Sequence, residues 1–275
     1  MTSKSWRIPL RIFLGFPQRL PHLSIHMMLR LLFISLSVIT FAALTKNQAS
    51  AEDKRPNVLM ICVDDLNDWV EPLGGHPQAR TPAMARLAQS GVLFSNAHCQ
   101  SPLCNSSRTS LMLSRRPSQT GVYGLAPWFR GVPELSSLTT LPQHFAAAGY
   151  QTITAGKVFH GGAFRKRDPL GRKEFDVIGP PGSPGIKPPK KLIPPTPGGD
   201  HPLMDWGVFD HDEKDKGDYR VASFLVEQLE NLDGKEPVFI AGGFFLPHVP
   251  CHVTPKYWDM FPEQTLILPH IDRLE

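Results

Sequence analysis

An almost unbroken apolar run from Asn57 to Val63 stops at two carboxylates, Asp64 and Asp65. Hydrophobicity that is continuous rather than alternating predicts a central strand covered on both faces. In an α/β sheet the C-terminal end of such a strand is where ligands bind. Thr81 followed by Pro82 predicts a helix start, and the helical pattern runs from Ala83 to Ser90 until Gly91 stops it. Val92 to Ala97 then suits a second short strand. After Ser101-Pro102, Ser107 to Ser114 suits a short helix whose start lies beside Cys104. Another helix is predicted around Leu141 to Ala148, with Pro142 in its first turn and Gly149 at its end, and Tyr150 to Ala155 is a strand leading into Gly156-Lys157. Val221, Phe224, Leu225, Leu229 and Leu232 recur at helical spacing within Tyr219 to Leu232, and Pro237 to Phe245 reads as a buried strand. Between Gly179 and Pro202, nine prolines and several glycines predict a loop or extended insertion without its own core. The order strand, helix, strand, helix, strand predicts an α/β layered fold with a mainly parallel sheet.

Composition adds little to this picture until it is resolved by position. The 275 residues are 41% hydrophobic and 20% charged, ordinary for a globular chain with one sizeable core. A formal charge of +4, from 29 Lys+Arg against 25 Asp+Glu, invites a nucleic-acid or membrane-surface partner. Six of those basic residues (Lys4, Arg7, Arg11, Arg19, Arg30, Lys46) fall within residues 1–51, which contain no acidic residue. That leaves 23 basic against 25 acidic in the body. Such a body lacks the clustered positive field that phosphate backbones require, so nucleic acid drops out as a leading partner.

The basic segment, residues 1–51, reads as a secretory signal region. Met27-Met28-Leu29-Arg30 is a short basic start, Leu31 to Thr45 is uncharged and mostly apolar, and Ala49-Ser50-Ala51 is a small-x-small cleavage site. The apolar run is shorter than the roughly 20 residues that span a bilayer. Cleavage near Ala51 is therefore expected, giving a periplasmic or secreted product without stable membrane association. Residues 1–26 are basic and interrupted by proline, which makes Met27 or Met28 an alternative start. Four cysteines are too few for a disulfide scaffold.

Four features carry candidate chemistry. Asp64 and Asp65 offer adjacent oxygen ligands for a hard divalent cation, although the same pair equally suits a turn that caps backbone amides. Cys104, beside a helix start and four residues before Arg108, lies in an electropositive setting that favours an anion and a thiolate. A Cys99–Cys104 disulfide or an inert buried cysteine fits the same spacing. Lys157 and His160 follow a predicted strand and suit an anionic group undergoing transfer, or simply a surface position. His248 is bracketed by Pro247 and Pro250, which hold the backbone around its imidazole. The charged run from His211 to Lys216 reads as a solvated surface.

Taken together and in this order, the features resemble the N-terminal portion of a type I, formylglycine-dependent sulfatase. The resemblance runs from about Arg55 to the end of the chain. It rests on Asp64-Asp65, Cys104-x-Ser106-x-Arg108 with Ser114-Arg115-Arg116-Pro117, Gly156-Lys157-x-x-His160 and Pro247-His248-x-Pro250. Val63 to Trp69, Gly121 to Leu125 and Leu246 to Pro250 point within that family to the iduronate-2-sulfatase-like branch.

The resemblance implies an alkaline-phosphatase-like fold and cleavage of a sulfate ester, on a sulfated carbohydrate if the likeness extends to substrate. It implies that a formylglycine-generating enzyme oxidises Cys104 to Cα-formylglycine, whose hydrated aldehyde attacks sulfur with one hydroxyl and expels sulfate by way of the other. Asp64, Asp65 and residue 104 would hold Ca²⁺, or alternatively Mg²⁺. Arg108 would hold the formylglycine hydroxyl and Lys157 the sulfate. His160 would promote sulfate release, and His248 would contact sulfate or protonate the leaving group. Residues 52–275 then form an incomplete N-terminal catalytic domain with a Pro-rich insertion at 179–202. The family's later Asp-His or Asp-Asn metal ligands, a further Lys and the C-terminal part are missing. A phosphodiesterase or phosphonate hydrolase of the same superfamily, or an inactive truncated remnant, are the alternative readings.

Overall fold

A computed structural model describes residues 55–195 and 199–268. The predicted signal segment and residues 269–275 lie outside the described residues.

Among the described residues six strands form: β1 (Val58–Val63), β2 (Gln151–Gly156), β3 (Val177–Pro181), β4 (Trp206–Val208), β5 (Val238–Phe244) and β6 (Cys251–Val253). Four of them make a sheet in the order β1-β5-β2-β3 in which every pairing is parallel. The two short strands β4 and β6 pair separately, also in parallel. The helices that matter for the site are α1 (Pro82–Ser90), α2 (Cys104–Leu113), α3 (Leu141–Ala147) and α4 (Gly217–Glu230).

Alternation along β5 divides the core into two layers, because successive side chains point to opposite faces. Val238 and Ile240 meet Ile153 and Ala155 of β2 and Val221 and Leu225 of α4. Phe239 and Ala241 face the other way, into a cluster with Met112 and Leu113 of α2, Phe129, Phe159 and Phe175. Phe145 of α3 stacks on Phe239 with ring centroids 4.2 Å apart. β5 is thus covered on both faces, as its apolar run requires.

Three expectations are corrected. β1 is an edge strand among the described residues rather than a central one, and its Leu59 and Ile61 are about half exposed. Its apolar run is the same one a fully covered strand would show, so hydropathy alone misplaces it. Residues 92–97 form no strand, and Val92 and Phe94 are exposed. Pairing decides strand formation, and no described strand lies alongside. The Pro-rich insertion begins inside regular structure, since Gly179 to Pro181 complete β3, an edge strand where proline costs no ladder bond.

The helix starts are better anticipated. α1 begins at Pro82 after Thr81, yet the Thr81 hydroxyl accepts the Glu71 amide instead of capping its own helix. α3 carries a capping box between Thr140 and Gln143. Behind it lies a buried polar cluster. Arg130 Nε donates to Glu174 Oε1 at 2.7 Å, Arg130 Nη2 to Gln143 Oε1 at 2.9 Å, and Thr140 Oγ1 to Glu174 Oε2 at 2.7 Å. It ties the start of α3 to the segment entering β3.

Where β2 and β5 end, the backbones come too close for side chains. Gly156 has φ +79°, and a Cβ there would collide with the Gly243 carbonyl, while a Cβ on Gly243 would collide with the Lys157 backbone. Gly156→Ala is expected to cost about 3 kcal/mol. Urea unfolding measures it, and a midpoint equal to that of the unaltered protein would refute the steric account.

Candidate active site

Three neighbouring strands of the sheet, β1, β5 and β2, deliver their candidates to one edge. Asp64 follows β1, Lys157 follows β2 and His248 follows β5, and all three strands run the same way. This is the C-terminal edge, where parallel sheets place their sites. α2 presents Cys104 as its first residue, so the helix begins three residues before the predicted Ser107. Arg108, four residues on, lies one turn along the same helix face.

Asp64 organises the group. Its carboxylate is buried, and Arg108 Nη2 donates to Oδ1 at 2.7 Å while Lys157 Nζ forms an ion pair with Oδ2. Arg108 Nη1 also donates to the carbonyl of Val158 at 3.1 Å and to that of Lys157. One guanidinium therefore links the ends of β1 and β2, a task that suits its planar fork. Burial pushes the Asp64 pKa up, but hydrogen bonds and charge from Lys157 and Arg108 more than offset this and hold it below the ordinary value.

Cys104 Sγ lies 3.9 Å from Asp64 Oδ2 and 3.6 Å from Lys157 Nζ. Ligand atoms of Asp64, Cys104 and His248 all fall within 4.8 Å of one another. Asp65 stands at the rim, its backbone in the left-handed region at φ +57° and its Oδ2 3.9 Å from His248 Nε2. A non-glycine residue in that region is uncommon, and such strain collects at functional sites. The Cys104 thiol is raised above its ordinary pKa, chiefly by burial; Lys157 and Arg108 oppose this, while the carboxylates of Asp64 and Asp65 add to it. The expected thiolate is therefore not favoured, despite the helix start. All four cysteines are free thiols, so the Cys99–Cys104 disulfide does not form either.

His160 shares the electrostatics of the cluster, although no hydrogen bond reaches it: its buried Nδ1 has no partner. Burial lowers its pKa, and the charges of Lys157 and Arg108 lower it further. A depressed folded pKa means the unfolded chain takes up the proton first, near its ordinary value of about 6.5. This contribution to stability is complete above that pH and is lost as pH falls through it toward the folded pKa. His160→Gln should shrink the stability lost between about pH 7.5 and about pH 5.5. Denaturation at the two pH values tests this, and an unchanged loss would count against a neutral, half-buried His160.

Sequence reasoning passed over two residues here. The Phe245 ring lies 4.8 Å from the His248 ring and 4.9 Å from Lys157 Nζ, which sits over it. Asp218 accepts the backbone amides of Phe245 and Leu246. Only the apolar strand end marked Phe245, and only a helix start marked Asp218.

The donor set fits a hard divalent cation in kind. Asp64 and Asp65 bring carboxylate oxygens, and Oδ1 of Asp64 keeps a lone pair beyond its bond from Arg108. A thiol at position 104 is a poor ligand for such an ion, whereas an oxygen on the same carbon is a good one.

The sulfatase family model matches residues 56–270. The chain belongs to the sulfatase family. Over 241 residues the chain is 34% identical to a protein of Formosa agariphila described as a sulfatase, and the match takes in 82% of this chain and 45% of that one. It is 29% identical to human iduronate 2-sulfatase over 249 residues, covering 85% of this chain and 42% of the human enzyme. A solved structure of the phosphonate monoester hydrolase of Agrobacterium radiobacter shares the fold, with a TM-score of 0.55, 21% identity, and coverage of 76% of this chain and 44% of that one. The layered, parallel-sheet architecture is therefore alkaline-phosphatase-like, as the sequence resemblance implied. The chain spans less than half the length of these relatives. Among the described residues no helix is long and apolar enough to cross a membrane.

Proposed function

We propose that this sulfatase hydrolyses a sulfate ester on a sulfated carbohydrate, with Cys104 converted to Cα-formylglycine and a divalent cation, Ca²⁺ or Mg²⁺, held by Asp64, Asp65 and residue 104. The observation that carries this reading is the meeting of Cys104, Asp64 and His248 within 4.8 Å, with Lys157 3.6 Å from Sγ. A raised thiol pKa supports it further, because a cysteine left as a thiol would be a weak nucleophile here.

Formylglycine would supply a hydroxyl nucleophile, and the cation would polarise it and the sulfate oxygens. The chain's own residues do the rest. Arg108 fixes Asp64 and keeps it ionised. Lys157 places a positive charge beside residue 104, where a sulfate oxygen gains negative charge, and one such preorganised donor is worth about 3 kcal/mol in the transition state. His160, kept neutral, is able to accept a proton. His248, held between prolines and against Phe245, is placed to bind sulfate or to protonate the leaving alcohol.

The substrate class follows the name of one relative, human iduronate 2-sulfatase, and the partner that would modify Cys104 is a formylglycine-generating enzyme. Export through the signal segment would bring the protein to extracellular polysaccharide. To test the reading, the chain is produced with a formylglycine-generating enzyme. The peptide containing residue 104 is weighed, and sulfate and phosphate esters of one chromophore are compared. Loss of the thiol mass in favour of an aldehyde, with preference for the sulfate ester, is the expected result. A faster phosphate reaction would favour a phosphoryl-transfer relative instead, and an unmodified Cys104 would sink the mechanism.

A further inference from the structure

We infer that Asp218 is a positioning residue for His248, acting with Lys216 as a clamp on the turn that carries the imidazole. The inference rests on the proposed sulfatase chemistry only for its effect on rate, because the clamp itself is a matter of geometry.

An aspartate in the first turn of a helix ordinarily serves that helix's own free amides. Asp218, at the start of α4, does not. Its Oδ1 accepts the amide of Phe245 at 2.7 Å and its Oδ2 that of Leu246 at 2.9 Å, both at the exit of β5. Two residues earlier, Lys216 is buried, and its Nζ donates to the carbonyl of His252 at 2.8 Å. The two side chains on either side of Gly217 therefore grip the segment 245–252 near both its ends, and His248 lies between the grips. This corrects the expectation of a solvated run only at its last residue, Lys216; Asp212, Lys214 and Asp215 are exposed.

The grip has an anchor of its own. A Cβ on Gly217 would strike the Ser183 backbone, and the Ile186 amide donates to the Asp215 carbonyl at 3.2 Å. The start of α4 is thus pressed against the Pro-rich insertion. What the grip sets is visible on Phe245, whose ring touches both Lys157 and His248. Within the turn the remaining bonds are local: the His248 amide donates to the Phe245 carbonyl at 3.0 Å, and His248 Nδ1 lies 2.6 Å from the Val249 carbonyl. Those local bonds shape the turn, and Asp218 fixes its start to the scaffold; at its far end Lys216 acts beside β6, where the Cys251 amide donates to the Asp205 carbonyl at 2.9 Å. Burial raises the Asp218 pKa, and the bonds from the two amides oppose that rise.

The test uses the chain with Asp218→Asn, which keeps the shape and one accepting oxygen, and Asp218→Ala, which removes both. NMR signals of the His248 ring and of the Phe245 and Leu246 amides are read first, because they need no turnover. They should shift in both variants, more in the alanine variant, while signals from the middle of β2 stay in place. In the sulfate ester reaction kcat should fall by about tenfold to a hundredfold, with KM within about twofold, as misplacement of a reacting group predicts. Should the alanine variant fail to fold, the asparagine variant decides alone. An unmoved His248 ring with unchanged kcat, even in a less stable variant, would make Asp218 a merely structural residue and overturn the inference. If the unaltered protein turns over no sulfate ester, the sulfatase proposal fails, and the NMR result still decides the clamp.

Discussion

Cys104→Ala is expected to reduce sulfate ester turnover by about 10⁴-fold or more, because it removes the thiol whose oxidation makes the proposed nucleophile. The protein should remain folded. Cys104 is the first residue of α2 and is only partly buried, and its contacts at 3.6 and 3.9 Å with Lys157 and Asp64 are weak sulfur hydrogen bonds. Alanine is also the best helix former, so the start of α2 loses little. Cys104→Ser separates nucleophile from chemistry. A serine hydroxyl has the oxygen for attack but no second hydroxyl on the same carbon to expel sulfate, so it should be capable of at most one turnover. Steady-state rates for the three forms, alongside intact mass after exposure to substrate, check the pair. Residual multiple turnover in the alanine variant would place the nucleophile elsewhere.

The residues on which this prediction turns are legible in the sequence because their signals are local. Asp64 and Asp65 end an apolar run, Lys157 follows another, and His248 closes a third, so each is marked by the strand that delivers it. The four-residue spacing of Cys104 and Arg108 becomes one helical turn once α2 forms. What local pattern does not convey is pairing. β1 has the hydropathy of a central strand and sits at an edge, and residues 92–97 have the hydropathy of a strand without a described neighbour to bond. The clamp is hidden for a related reason. Lys216 and Asp218 sit in a stretch rich in charge, and nothing in it tells that one ammonium reaches a buried carbonyl and one carboxylate two distant amides. Long side chains cover such distances with apolar stems while the sequence around them still looks solvated.

Removing the Arg108 guanidinium should produce the largest loss of stability of any substitution at the site. Arg108→Met keeps much of the side chain's volume and apolar stem, so packing in α2 survives. The substitution leaves the carbonyl of Val158 without its 3.1 Å donor and Asp64 without its 2.7 Å partner, in a place where neither reaches water. Breaking one side of a buried pair costs about 3–5 kcal/mol. Arg108→Lys should recover only part of this, since one ammonium does not reproduce a fork that spans a carboxylate and two carbonyls. The pH dependence separates this account from simple loss of packing. Asp64 is held below its ordinary pKa by Lys157 and Arg108, so the stability it contributes is present above the unfolded value of about 3.9 and is lost as pH falls through its folded pKa. With Arg108 gone the Asp64 pKa rises toward normal, and this acid-sensitive contribution shrinks. Urea unfolding with a chelator present, at about pH 7 and again at about pH 3, should show a wide gap between Arg108→Met and the unaltered protein that narrows in acid. A gap of equal width at both would mean that the guanidinium supports the fold through its carbonyl bonds and packing, and that its charge does not set the state of Asp64.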